Sequence, residues 1–153
     1  MTEWRMLTVH QPWAGCIAQG RKGWENRAPD RRGRMPTVAK FARKLEGQWV
    51  AIHASSKRSR LSQLPKRAPD GKNWPSYRPW SVVVCSARIG RVVGLLDELE
   101  DPWRNRKTYG IELVEVRRFA VPVPAKGGQG WLILRDDVLE AVLHQHHAMA
   151  GAA

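Results

Sequence analysis

Along this chain the spacing of apolar positions switches between a two-residue and a three-to-four-residue period, the pattern of short strands interleaved with helices. Residues 5–10 (RMLTVH) are apolar and β-branched and predict a strand. Residues 12–19 (PWAGCIAQ) predict a helix: proline is tolerated in its first turn, and Trp13, Cys16 and Ile17 fall at i, i+3 and i+4. Gly20 is its expected C-terminal cap. Residues 25–27 lead away in extended form, and a basic connection over about 28–47 holds a predicted short helix at 37–45. Residues 48–54 (QWVAIHA) read as a strand with Trp49, Ala51 and His53 on one face and Val50 and Ile52 on the other.

The segment from about 55 to 80 is proline-rich, basic and aromatic, with Trp74, Tyr77 and Trp80 among its cations. A loop of that length is either functional or pinned to the body by its tryptophans, and the spacing fits both. Residues 82–87 and 88–97 predict strands broken by glycines, bent as in a small barrel. Residues 109–119 predict another strand, 121–124 an extended proline-bearing stretch, 126–130 a flexible turn and 131–134 a last strand. Asp136 is expected to cap a C-terminal helix over about 136–147, with Val138, Leu139 and Leu143 toward the core. The whole predicts one α+β domain spanning 1–153.

Charge sharpens this picture. The sequence carries 26 Lys and Arg against 14 Asp and Glu, a net charge of +12 with a pI near 10.7. The cations cluster in 21–46 and 57–80, whereas 97–101 is acidic. A basic face made by two long loops is the footprint of a phosphate-binding surface, so a nucleic acid is the expected partner. No apolar run approaches the ~20 residues needed to span a bilayer, so a membrane partner is not expected and a cytoplasmic location is. Cys16 and Cys85 have no companion at metal-ligand spacing, and His144, His146 and His147 fit the dipole at a helix C-terminus better than a metal site. No metal or cofactor is expected.

The densest chemistry lies in Gly20-Arg21-Lys22-Gly23-Trp24-Glu25-Asn26-Arg27. Strand alternation would send Lys22, Trp24 and Asn26 to one side and Glu25 and Arg27 to the other. Lys22 and Arg27 suit a phosphate or a base carbonyl. Glu25 suits the exocyclic amine of cytosine, adenine or guanine, and Trp13 or Trp24 a stacked base. Arg21, Arg31, Arg32, Arg34, Ser55, Lys57, Arg58 and Lys126 complete the expected nucleic-acid surface. His53, with His10, is the acid–base candidate for cleavage through a 2′-hydroxyl.

Several motifs in this order, LTVHQPWA (7–14), GRK (20–22), ENR (25–27), VAIHAS (50–55), ARIGRVVG (87–94) and PAKGGQGW (124–131), resemble the ASCH family. The resemblance implies a PUA-like fold, a small mixed β-barrel flanked by helices. It also implies a cleft lined by the Gln-Pro-Trp helix start, the GRK and ENR motifs and the strand ending at Ser55. Family members bind RNA or DNA, and some are hydrolases, either single-strand ribonucleases or amidohydrolases acting on acylated cytidine. The amidohydrolases use a lysine in the GRK motif, a threonine three residues on and a remote glutamate. Lys22 matches that lysine, but Glu25 stands in the threonine's place, so the nucleophile is missing. The resemblance leaves three readings open: binding of single-stranded RNA, a hydrolase with Lys22, Glu25 and His53 as its catalytic candidates, and a reader of a modified base in DNA. The oligomeric state is left unspecified.

Overall fold

A computed structural model describes residues 3–57 and 63–150. Six strands, β1 (Arg5–Val9), β2 (Trp24–Arg27), β3 (Trp49–Ala54), β4 (Val82–Val93), β5 (Tyr109–Pro124) and β6 (Trp131–Ile133), form one mixed sheet in the order β2-β5-β4-β3-β1-β6. Three helices accompany it: α1 (Trp13–Ala18), α2 (Thr37–Lys44) and α3 (Asp136–Ala148). The sheet curls into a half-barrel, an α+β architecture of the PUA-like kind. Among the described strands only β1 and β3 run parallel, in a register that puts Thr8 beside His53.

Alternation along the strands separates two cores. Leu7 of β1 and Val50 and Ile52 of β3 pack with Ala14 and Ile17 of α1 and Ala42 of α2. Met6 and Ala51, one residue out of phase, pack with Phe119, Val123 and Val142 toward α3. A third cluster joins Cys16, Ala68 and Trp103, with Trp13 and Trp74 against it.

Three sequence expectations change here. The glycine-interrupted stretch after 81 is one strand, β4, because register shifts against β5 at Val83/Cys85, Arg88/Ile89 and Ile89/Val92 absorb the bends that would otherwise end it. Gly90 takes part in that irregularity: a Cβ there would lie 2.5 Å from Glu112 Oε1 and 2.6 Å from Val114 Cγ1. The proline-bearing 121–124 stretch continues β5, pairing Val123 with Val83. Asp136 does not cap α3; Arg135 holds the N-cap position without a side-chain bond, and Asp136 and Asp137 sit in the first turn, where the helix dipole favours carboxylates.

The described part of the 55–80 loop is pinned. Arg21 Nε and Nη2 donate to the two carboxylate oxygens of Asp70 at 2.8 and 3.0 Å. Trp74 meets Trp13 and Trp103 edge-on, with ring centroids 6.0 and 6.2 Å away. Gln11 Nε2 donates to Pro79 O while its Oε1 accepts from Gly15 N, both at 2.9 Å, so one buried amide caps α1 and holds the loop. Gly15 is glycine because a Cβ would come within 2.4 Å of Tyr77 O.

Candidate functional site

The end of α1 brings the first functional side chain into place. Gly20, with φ at 74°, turns the chain so that Arg21 N bonds back to Cys16 O at 3.0 Å, closing the helix and projecting residues 21–22 toward β2. Lys22 precedes β2, so strand alternation does not govern it. Its Nζ donates to Trp24 O and to Glu25 Oε1, the latter at 3.1 Å. Within β2 the alternation holds: Glu25 and Arg27 share a side, and Arg27 Nη2 donates to Glu25 Oε2 at 2.8 Å and to Thr8 O at 3.2 Å. Lys22 is 3% exposed and Glu25 8%.

A cluster of two cations and one anion, taken so far out of water, persists because each carboxylate oxygen has its own charged donor. Burial pushes Glu25 toward its neutral form, but the charges and hydrogen bonds of Lys22 and Arg27 outweigh it and hold the carboxyl below its ordinary value. The cluster keeps one positive charge in excess. Arg27 Nε is buried and has no hydrogen-bond partner among the described residues.

Two cavities meet at Thr8, His10 and Arg27. The smaller, about 330 Å³, is lined also by Trp13, Lys22 and Glu25. The larger, about 800 Å³, continues past Ser55, Ser56, Lys57 and Ser81 to Lys126 and the glycines at 127, 128 and 130.

His53 lies at the wall of the larger cavity but is only 1% exposed. Its Nε2–H donates to Ala125 O at 2.7 Å, which leaves Nδ1 to accept from the Thr8 hydroxyl at 3.2 Å. Burial lowers its pKa from the ordinary imidazole value, against the bond to Ala125. Both ring nitrogens are therefore committed, and the exposed His10 is the imidazole that borders both cavities.

The other predicted site residues disperse. Trp13, half-buried, borders the smaller cavity and meets Trp74 edge-on. Trp24 is 5% exposed, with the guanidiniums of Arg91 and Arg104 5.7 and 6.0 Å from its ring. Arg21 faces Asp70, outside both cavities. Arg31, Arg32 and Arg34 lie on an exposed turn organised by Asp30, whose Oδ1 accepts from Arg32 N and Arg34 N at 2.8 and 2.9 Å. Ser55, Lys57 and Lys126 line the larger cavity. Arg58 falls outside the described residues.

Sequence reasoning missed Thr8 and Arg104. Thr8 binds Arg27 through its carbonyl and His53 through its hydroxyl; its i, i+2 relation to His10 was the available signal. Arg104, buried at the centre of the 94–108 segment, donates to Asn26 Oδ1 at 2.9 Å, to Gly94 O at 3.0 Å and to Thr108 O at 2.6 Å, and lies 2.6 Å from Asp97. Nothing in its sequence neighbourhood distinguishes it from a surface arginine.

A curled mixed sheet whose first helix, second strand and last turn border a basic cleft is a fold of the PUA-like kind. No family model matches the sequence, and no curated protein does. Among solved structures, a single-residue variant of the Zymomonas mobilis ASCH protein superposes with a TM-score of 0.51 at 14% identity, over 92% of this chain and 94% of that one. The unsubstituted protein from the same organism gives 0.49 at 15% identity, over 92% and 93%. The first of these likenesses is one of fold: this chain has the ASCH-domain fold.

Proposed function

We propose that this domain binds single-stranded RNA, admitting one unpaired base to the pocket at Glu25 while neighbouring cations hold the backbone. The observation that carries the reading is the Lys22–Glu25–Arg27 cluster, its lysine and carboxylate buried, beside a cleft that also carries Lys57 and Lys126. An ionised Glu25 is an acceptor only, so it favours bases with an exocyclic amine; Lys22 and Arg27 favour carbonyl or phosphate oxygens. A base inside a duplex cannot reach such a pocket without being extruded, which favours single strands. Arg31, Arg32 and Arg34 add sequence-independent attraction for phosphates.

The test is a titration with labelled single-stranded RNA that reads binding and integrity together, across salt, for the wild type and Lys22→Ala. The expected result is salt-sensitive binding, stronger than for duplex RNA of the same sequence, with the variant weakened. Equal affinity for duplex and single strand would refute the reading, and preference for single-stranded DNA would transfer it to a DNA partner.

A hydrolase is the second reading, favoured by a lysine held 3.1 Å from a carboxylate beside a cavity. Such a pair can orient and deprotonate a water. Turnover of N4-acylated cytidine, abolished in Lys22→Ala with binding retained, would select it; strand cleavage abolished in the same way would select a ribonuclease.

A further inference from the structure

The two joined cavities differ in whether a carboxylate lines them. Glu25 gives the smaller one a carboxylate. The larger is lined by no carboxylate among the described residues; instead it has Arg27, Lys57 and Lys126, the Ser56 and Ser81 side chains and a glycine-rich backbone. Lys22 and Arg27 leave the smaller cavity a net positive charge beside its carboxylate, whereas the larger offers an anion its cations with no carboxylate among the described lining residues.

Two features show that this larger cavity has a built wall. The turn after β5 is clamped at both ends of Gly127: His53 Nε2–H donates to Ala125 O, and Gly128 N donates to Thr8 Oγ1 at 3.3 Å, whose own proton goes to His53 Nδ1. Gly127 fits because it has no Cβ; one would lie 2.6 Å from His53 Cε1 and 2.8 Å from Thr8 Oγ1. Ser81, beside that turn, is held at φ 55°, a conformation that side-chain-bearing residues adopt at a cost, while its N–H donates to Ala54 O and its carbonyl accepts from Ala125 N. At the junction stands Arg27, whose buried Nε has no hydrogen-bond partner among the described residues.

We infer that the unit this cleft recognises is a nucleotide rather than a bare nucleoside. Its base enters the Glu25 pocket and a phosphate sits in the larger cavity between Lys57, Lys126 and the glycine-rich turn. The inference rests on the cleft reading above and adds a phosphate subsite to it. His53 serves this subsite as a positioning residue: it fixes the turn and touches no ligand.

The test compares cytidine, cytidine 3′-monophosphate, cytidine 5′-monophosphate and inorganic phosphate by calorimetric titration. The proteins are the wild type, a Lys57→Ala/Lys126→Ala double variant, and an Arg43→Ala/Lys107→Ala variant that removes the same charge from exposed positions outside the cleft. In the wild type one monophosphate should bind at least about tenfold more tightly than cytidine, as two charge-assisted contacts would provide. The first variant should erase that margin and leave cytidine binding unchanged, and the second should keep it.

Equal binding of cytidine and both monophosphates, or a margin that both variants reduce alike, would overturn the subsite and leave the base pocket standing. Failure of every nucleoside, nucleotide and single-stranded RNA to bind would remove the cleft reading and the subsite with it. His53→Gln should lower the monophosphate affinity while the cytidine affinity holds; loss of both together would overturn the positioning role.

Discussion

His146 allows a prediction whose size follows from its surroundings. The imidazole is 5% exposed and stands between two indoles, with Trp4 at 4.9 Å and Trp49 at 4.8 Å, both edge-on. Arg117 Nη1 donates to its Nε2 at 2.9 Å, which assigns the ring proton to Nδ1 and makes the 2.7 Å contact with Ser86 a donation to the hydroxyl. A second proton would replace the acceptor with a cation facing a guanidinium. Burial first, then Arg117 and His147, lower the pKa from 6.5 to about 4, against a smaller opposing effect of Glu115. The folded state thus binds fewer protons than the unfolded chain between those values, so stability falls as pH drops through that window. At about 1.4 kcal/mol per pKa unit, the loss between pH 7.5 and 4.5 should be about 2.5 kcal/mol.

Urea unfolding of the wild type and His146→Gln at both pH values isolates this contribution, since groups common to the two proteins cancel. The variant should be less stable at pH 7.5 and lose about 2.5 kcal/mol less on acidification. The His146 ring carbon should likewise show no NMR titration above pH 5. Parallel pH dependences of stability, or a titration midpoint near 6.5, would refute the reasoning.

Three further outcomes are expected. Glu25→Gln leaves Lys22 buried without its anion and should cost about 3–5 kcal/mol in chemical denaturation; where the variant is folded, discrimination among cytosine, adenine and uracil should fall more than salt-dependent affinity, and unchanged selectivity would sink the pocket assignment. Gly15→Ala drives a methyl into Tyr77 O and should destabilise by about 1–3 kcal/mol while exposing the 63–80 segment to proteolysis, measured by thermal unfolding and limited digestion. Charge reversal at Arg31, Arg32 and Arg34 should weaken binding to all RNA sequences alike and flatten its salt dependence, whereas sequence-selective losses would contradict a backbone role.

Much of the fold was legible because its strands and helices carry strong local signals. The buried stripe of α1, the glycine that ends it and the alternation of β3 are all written in adjacent residues. β4 was not legible as one strand, since its bulges are stabilised by the partner strand and locally resemble breaks. Glu25 and Arg27 followed from strand period two, but Lys22 did not, because its direction is set by an ion pair rather than by the backbone. Arg21 illustrates the general limit: its partner Asp70 is 49 residues away, so a structural ion pair reads in sequence as a free cation. His53 also looks reactive until the tertiary structure supplies a partner to each ring nitrogen.

Trp13 has an optical consequence. Its indole borders the smaller cavity and meets Trp74 edge-on, which in turn meets Trp103. Indoles this close exchange excitation, so a base arriving beside Trp13 can drain emission from the whole trio. The cleft therefore carries its own fluorophore, and its occupancy is readable by quenching in unlabelled protein, against the emission of the other five of the eight tryptophans.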